Sequence, residues 1–266
     1  MKYSEAVKTL KSAGIENPRH EARLIFEDLC GVEKNALFSS DPESQAADGA
    51  VLRRANGEPL QYIIGKTAFF NEEYFVSPDC LIPRSDTEIL VELAIKNLKD
   101  GDRFIDLCTG SGCIAVSTLK NTKSTSALAL DVSEGALKIA KRNAEHNGVT
   151  KRLDFVLADA FEYTPCEVFD AVLSNPPYIE QSVYQTLKRE IFHEPKIALL
   201  AEELGLAFYK RLIPLYKSRV KRGGFMAFEI GYDQGNALIE IAKENGLCAK
   251  IIKDYGGNDR VAFIRV

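Results

Sequence analysis

The sequence predicts an α/β fold: a mostly parallel, doubly wound sheet of seven strands that ends in an antiparallel C-terminal hairpin, preceded by a small helical domain. Three observations predict it. From Arg103 onward, strand-like runs alternate with helical ones. The first of those strands passes through a glycine turn into a helix, in FIDLCTGSGCIA (Phe104–Ala115). The last two, Cys248–Lys253 and Val261–Val266, are joined around YGGND, too short a link for the crossover that parallel neighbours need.

The elements follow in order. The first sixty residues read as short amphipathic helices that pack on one another. Asn17-Pro18 is a helix start, with proline at the first helical position, and Ala22, Ile25, Phe26 and Leu29 recur at helical spacing before Gly31 ends the run. Another helix fits Pro42 to Ala55. GEPLQYIIGKTAFFNEEYFVSP is rich in aromatic and β-branched residues, and reads as a linker holding a β-hairpin that turns at Asn71-Glu72. Ser85-Asp86-Thr87-Glu88 matches a capping box ahead of an apolar helix. Strands are expected at Arg103–Leu107, Ala127–Asp131, Leu153–Leu157, Ala171–Ser174 and Gly224–Ile230, with helices from about Cys113, from Ser133 to His146, over Leu204–Val220 and over Asp233–Asn245. The expected domains are therefore helical residues 1–66, a hairpin linker at 67–83, and an α/β domain at 84–266.

Composition narrows the function. At 266 residues, 45% hydrophobic and 27% charged, the chain is an ordinary globular protein. Its net charge of -4 gives no basic footprint for a long nucleic acid, so direct nucleic-acid binding is not expected. The six cysteines form no CxxC pair, which suits reduced thiols in a cytoplasmic protein, and the three histidines show no metal-ligand spacing. The opening MKYSEAVKTLKSAG lacks the apolar stretch of a signal peptide, and no apolar run reaches the ~18–20 residues of a membrane span. The expectation is a cytoplasmic protein with no metal and no membrane partner.

Two motifs carry chemistry. In the glycine loop, Gly110 and Gly112 let the backbone turn tightly and approach a ligand, and the following helix offers free N–H groups. Asp131 ends the next strand, where an acid accepts bonds from both hydroxyls of a ribose. The same residues fit the G-x-G-x-x-G/A dinucleotide fingerprint, so the loop alone leaves NAD and S-adenosyl-L-methionine both open. Asp106, just before the loop, suits the cationic amino group of a methionine moiety and tips the balance toward the second. Asp159, after the third strand, suits an adenine amino group, and equally suits a solvated loop acid or helix cap.

The second motif is Asn175-Pro176-Pro177-Tyr178, after the fourth strand. Two prolines remove two backbone donors. The acceptors that remain are the Asn175 side-chain oxygen and the Pro176 carbonyl, which together match a planar NH2 group with its two donors. Tyr178 offers an aromatic face to a flat substrate group. An amide nitrogen attacks poorly because its lone pair is delocalised; holding both N–H bonds orients it and raises its electron density. Positioning of that kind supplies up to about 7–11 kcal/mol of a barrier. No metal or strong base is required, because the nitrogen becomes acidic once alkylated.

A doubly wound sheet ending in such a hairpin is the arrangement of class I (Rossmann-like) methyltransferases. DLCTGSG (Asp106–Gly112) with Asn175–Tyr178 resembles amino-methyltransferases. GEPLQYIIG (Gly57–Gly65), LIPRSDTE (Leu81–Glu88), HEPKIAL (His193–Leu199), EIGYDQG (Glu229–Gly235) and GGNDRV (Gly256–Val261) narrow the resemblance, over nearly the whole chain, to the bacterial release factor glutamine methyltransferase family (PrmC/HemK). The resemblance implies S-adenosyl-L-methionine as cofactor and, as substrate, the amide nitrogen (N5) of the glutamine in the Gly-Gly-Gln motif of peptide chain release factors. It implies a cofactor site at Cys108, Thr109, Gly110, Ser111, Gly112, Asp131, Asp159, Ala160 and Asn175. Asn175, Pro176, Pro177 and Tyr178 would hold the glutamine, with Asn175 and Pro176 the catalytic pair. Pro83 and Thr87 would close over the cofactor, and the N-terminal helices would dock the release factor. Two positions depart from the family: Cys108 stands where glycine is usual, and AEELG (Ala201–Gly205) is poorer in glycine than its equivalent.

Three other readings compete. A nucleic-acid amino-methyltransferase would use the same tetrapeptide, and the acidic balance and lack of a basic arm weigh against it. A NAD-dependent oxidoreductase would need a catalytic His, Lys or Tyr that the sequence does not offer convincingly. A silent binding protein would have no use for an intact Asn175-Pro176.

Overall fold

Short-range chemistry sets most element boundaries. The computed structural model describes residues 1–266, apart from the Phe38 side chain. Two units emerge: Met1–Lys66 with Lys188–His193, and Thr67–Leu187 with Glu194–Val266.

The first unit holds α1 (Tyr3–Ser12), α2 (Pro18–Cys30), α3 (Lys34–Ser39), α4 (Ala46–Ala55) and α5 (Leu60–Ile64). Pro18 opens α2 and Gly31 closes it in the left-handed conformation, φ 64°, although Asn17 makes no side-chain cap bond. The helix expected from Pro42 starts at Ala46, α3 falls within the stretch read as helical, and α5 forms in the segment read as linker. Leu10, Ile25, Phe26 and Val51 bury their side chains together. Arg54, almost fully buried, is met by the carboxylates of Glu21 and Glu190. Glu190 thereby ties the returning segment Lys188–His193 to these helices.

The chain then forms a hairpin of β1 (Lys66–Phe69) and β2 (Glu72–Phe75), and all of it after Lys66 belongs to the second unit. Its two-residue turn is Phe70-Asn71, both at positive φ (49° and 65°), as a twisted hairpin demands. The turn therefore lies one residue before the expected Asn71-Glu72. A 3-10 turn, Ser85–Thr87, leads into α6 (Glu88–Asn97). The expected capping box is not formed: Glu88 instead accepts the Phe70 amide at 3.0 Å, a tertiary partner in place of the local one.

Then come β3 (Arg103–Leu107), α7 (Cys113–Lys120), β4 (Ser126–Asp131), α8 (Glu134–His146), β5 (Leu153–Leu157) and β6 (Phe169–Ser174). The Ser133 hydroxyl caps α8 by accepting from the Ala136 amide at 3.1 Å. After α9 (Gln181–Tyr184), α10 (Glu202–Gly205) and α11 (Ala207–Tyr216), the chain forms β7 (Val220–Glu229), α12 (Gly235–Glu244), β8 (Cys248–Lys253) and β9 (Asp259–Arg265). The helix expected over Leu204–Val220 is broken, because Glu203, Leu204 and Gly205 take φ of 53°, 58° and 79°.

The seven-stranded sheet runs in the order β5-β4-β3-β6-β7-β9-β8. Strands β3 to β7 are parallel, and β9 enters antiparallel between β7 and β8. Alternation along each strand sends Phe104, Ala127 and Ala129 to the layer that holds Leu90 of α6 and Val116 of α7. Ile105, Leu107, Leu128 and Leu130 go to the layer that holds Leu212 of α11 and Leu238 of α12. The order reverses between β3 and β6, and a crevice opens at such a switch point beyond the carboxyl ends of the strands. Among the described residues, no helix is long and apolar enough to cross a membrane.

Candidate active site

The carboxyl ends of β3, β4 and β6 deliver their loops to one place. Ser174, the last residue of β6, donates its hydroxyl to the Leu107 carbonyl at the end of β3, 2.6 Å away. The Thr109 amide donates to the Leu130 carbonyl of β4 at 3.0 Å. The Gly110 amide donates to Asp131 Oδ2 at 2.8 Å, and the Ser133 amide to Oδ1 at 2.9 Å. Burial raises the Asp131 carboxyl above its usual range, and these amide bonds oppose that rise.

A cleft of about 1060 Å³, solvent at its mouth included, lies over these loops. Of the residues expected to bind a cofactor, Cys108, Thr109, Gly110, Ser111, Asp131, Asp159, Ala160 and Asn175 line it, and so do Pro83, Thr87 and Pro177. Gly112 does not. An added Cβ there would meet the Ala140 Cβ of α8 at 3.0 Å, so this glycine serves loop-to-helix packing. At Gly110 the same Cβ would meet nothing within 4 Å, so the loop stays open there.

Cys108 takes φ 57°, the left-handed region that glycine occupies without strain. Burial pushes its thiol well up from the ordinary value.

Asp106 does not reach the cleft. It is fully buried; its Oδ2 accepts from the Thr109 hydroxyl at 2.6 Å and the Ala115 amide at 3.2 Å, and so it braces the loop. Its Oδ1 has no partner among the described residues, and burial lifts the carboxyl to about 7. Asp159 lines the cleft while its Oδ1 accepts the Phe161 amide at 2.8 Å, so the ligand-facing and capping readings coexist.

In the tetrapeptide, Asn175 lies half-buried at the cleft, and Pro176 and Pro177 are buried. The Asn175 Nδ2 donates to Thr87 Oγ1 at 3.2 Å. Among the described residues, neither its side-chain oxygen nor the Pro176 carbonyl receives a hydrogen bond, which leaves both as acceptors. Tyr178 is partly buried: its ring packs against the apolar layer that holds Tyr209 and Phe228, and it is not among the residues that line the cleft. Its hydroxyl donates to Glu229 Oε1 at 3.2 Å, and burial pushes the phenol up.

Several residues around the site carry no signal in the glycine loop or the tetrapeptide. Glu194 is buried, pairs with Arg84 and accepts the Ile82 amide at 3.1 Å, and so joins two segments of the cleft wall. Gln234 Nε2 donates to the carbonyls of Tyr178 and Leu204, each at 3.3 Å. Glu229, at the end of β7, is 1% exposed and lifted by burial to about 7. All lie in LIPRSDTE, HEPKIAL or EIGYDQG, where an acid or amide sits among apolar residues; that pattern was the available signal.

The residues present fit a nucleoside-type cofactor. Asp131 keeps lone pairs on both oxygens for hydroxyl donors, since a carboxylate accepts about four bonds and only two are taken.

Residues 3–65 match the PrmC N-terminal domain model, and residues 85–203 the methyltransferase small domain model. A release factor glutamine methyltransferase of Fusobacterium nucleatum is 35% identical over 99% of this chain and 77% of its own length. That of Agrobacterium fabrum is 36% identical over 98% of this chain and 94% of its own. The crystal structure of ribosomal protein L11 methylase from Lactobacillus delbrueckii subsp. bulgaricus has a TM-score of 0.52 at 23% identity, over 71% of this chain and 82% of that one, a likeness of fold. With a methyltransferase sheet, a cleft at its switch point, and full-length relatives above 30% identity, this chain belongs to the release factor glutamine methyltransferase family.

Proposed function

We propose that this chain transfers a methyl group from S-adenosyl-L-methionine to the side-chain amide nitrogen (N5) of the glutamine in the Gly-Gly-Gln motif of peptide chain release factors. The observation that carries the reading is Asn175: its oxygen and the Pro176 carbonyl are unclaimed acceptors, beside a cleft floored by the glycine loop and Asp131.

When bound, the cofactor supplies an electrophilic methyl on a sulfonium centre. The chain's part is positional. Cys108 to Ser111, Asp159, Ala160 and Asn175 wall the cofactor cleft, and Asp131 takes ribose hydroxyls. The Asn175 oxygen and the Pro176 carbonyl accept the two N–H bonds of the glutamine amide, which aims its nitrogen and keeps it from turning. Pro177 shapes the turn, and Tyr178, held by Glu229, fixes its far end rather than stacking on the substrate. Pro83 and Thr87 close one side of the cleft. The helical residues 1–66 dock the release factor, residues 67–83 form the hairpin linker, and residues 84–266 carry the chemistry. Setting such a geometry is worth up to about 7–11 kcal/mol.

The test is mass spectrometry of a purified release factor incubated with this protein and S-adenosyl-L-methionine. One added methyl on the motif's glutamine is expected. An unmodified release factor, or a methyl on DNA or rRNA supplied in parallel, would overturn the reading.

A further inference from the structure

An asparagine amide has two ends of the same outline and opposite chemistry, one accepting and one donating. The reading above needs the Asn175 oxygen toward the substrate, because an NH2 there would face another NH2. Only neighbours can tell the ends apart. The Asn175 Nδ2 has one such neighbour, the Thr87 hydroxyl at 3.2 Å. Thr87 is 2% exposed, so water does not share that hydroxyl. A hydroxyl has one proton and can point it either way; it must accept from Asn175 only if that proton is held elsewhere.

Glu229 is the group placed to hold it. Glu229 Oε2 is buried with no hydrogen-bond partner among the described residues, and Thr87 is among the groups that act on this carboxyl. The Tyr178 hydroxyl occupies Oε1. Arg260 of β9 lies close by, paired with Asp86 at 3.3 Å and Asp254 at 3.0 Å.

We propose that Thr87 and Glu229 are positioning residues that act on the substrate through Asn175: Glu229 takes the Thr87 proton, Thr87 therefore accepts the Asn175 NH2, and the amide oxygen is left facing the cleft. This deepens the functional reading and rests on it for the identity of the substrate group.

Protonation of Glu229 at Oε2, the oxygen that Tyr178 leaves open, turns that oxygen into a donor toward Thr87 and frees the Asn175 amide to turn. Burial lifts this carboxyl to about 7, against the opposing effects of Thr87, Arg260 and Tyr178. The other titratable groups facing it are Asp86, Tyr209 of α11 and Cys113 of α7. Turnover should therefore fall as pH drops through about 7.

The experiment compares Thr87→Val, Thr87→Ser, Glu229→Gln and the Val/Gln double variant in the full chain. S-adenosylhomocysteine titration, release factor kinetics, and the nitrogen-15 NMR signals of the Asn175 side-chain amide are measured. Thr87→Val and Glu229→Gln should each lose roughly 10–100-fold in kcat/KM, as loss of an orienting partner does elsewhere, and Glu229→Gln, which lies outside the cleft lining, should keep S-adenosylhomocysteine binding. Thr87→Ser should recover most of that loss. The double variant should be no worse than Thr87→Val, since one relay is broken once. The Asn175 amide protons, protected in the parent chain, should exchange faster in both single variants, and Glu229→Gln should flatten the pH profile. Near-normal turnover of Thr87→Val, additive losses, or unchanged Asn175 signals would each overturn the relay. Should the parent chain leave release factors unmodified while those signals respond as described, the substrate reading fails and the relay stands.

Discussion

Gly110 and Gly112 stand two residues apart and answer different demands. Gly110 leaves room on the cleft side, whereas Gly112 lets α8 approach the loop. Gly112→Ala should lower stability by about 2–3 kcal/mol, through a left-handed φ and an overpacked contact, as a thermal melt will read. Asn175 answers a chemical demand. Asn175→Ala should fold and bind S-adenosylhomocysteine, and lose roughly 10²–10³ in turnover, the usual cost of one lost group in a polar catalytic grip. Calorimetric titration and labelled-methyl transfer measure the two halves separately. Near-normal turnover would remove the tetrapeptide from the mechanism. At this scale the sequence was legible wherever a residue type has few uses: glycine at a turn, proline without its donor, asparagine with both a donor and an acceptor. It was not legible for Tyr178, since a tyrosine serves equally as a stacking face or as a packed ring with a tethered hydroxyl.

Elements cooperate through buried polar ties that local pattern does not reveal. Glu194 joins the segment around Arg84 to the Pro195–Ala198 stretch across the cleft wall. Glu194→Ala would leave the buried Ile82 amide without its acceptor, at about 1–3 kcal/mol. S-adenosylhomocysteine affinity should weaken with it, because both segments line the cleft; unchanged affinity with lowered stability would make the tie purely structural. The left-handed stretch Glu203–Gly205 is held the same way. Gln234 bridges the Leu204 and Tyr178 carbonyls, and a Cβ on Gly205 would come within 2.1 Å of the Tyr178 oxygen. Only a glycine permits that approach, so this segment braces the far end of the tetrapeptide despite its few glycines. The sequence suggested one continuous helix here, because apolar spacing carries no information on backbone handedness.

For the whole molecule, two buried carboxyls bear on pH. Asp106 and Glu229 are both lifted by burial to about 7, while an unfolded chain would hold them near ~4. Between those values the folded state binds more protons than the unfolded one, so each group's contribution is present at low pH and lost as pH rises through about 7. The melting temperature of the parent chain should therefore fall more from pH 5 to pH 8 than that of Asp106→Asn, and more again than that of Asp106→Asn with Glu229→Gln, roughly as the linkage relation requires. Equal pH dependence in all three would place both carboxyls near their ordinary values.

The sequence alone determined the strand and helix order, the glycine turn, the closing hairpin and the rigid tetrapeptide, because each depends on hydrophobic period, φ restriction or chain length between neighbours. Tertiary structure decided which of those residues meet. It placed Asp106 behind the loop, tied the Tyr178 hydroxyl to Glu229, brought Glu194 to Arg84, and set Thr87 beside Asn175. Those partners are separated by long stretches of chain and joined by polar contacts, and no local periodicity records a contact of that kind.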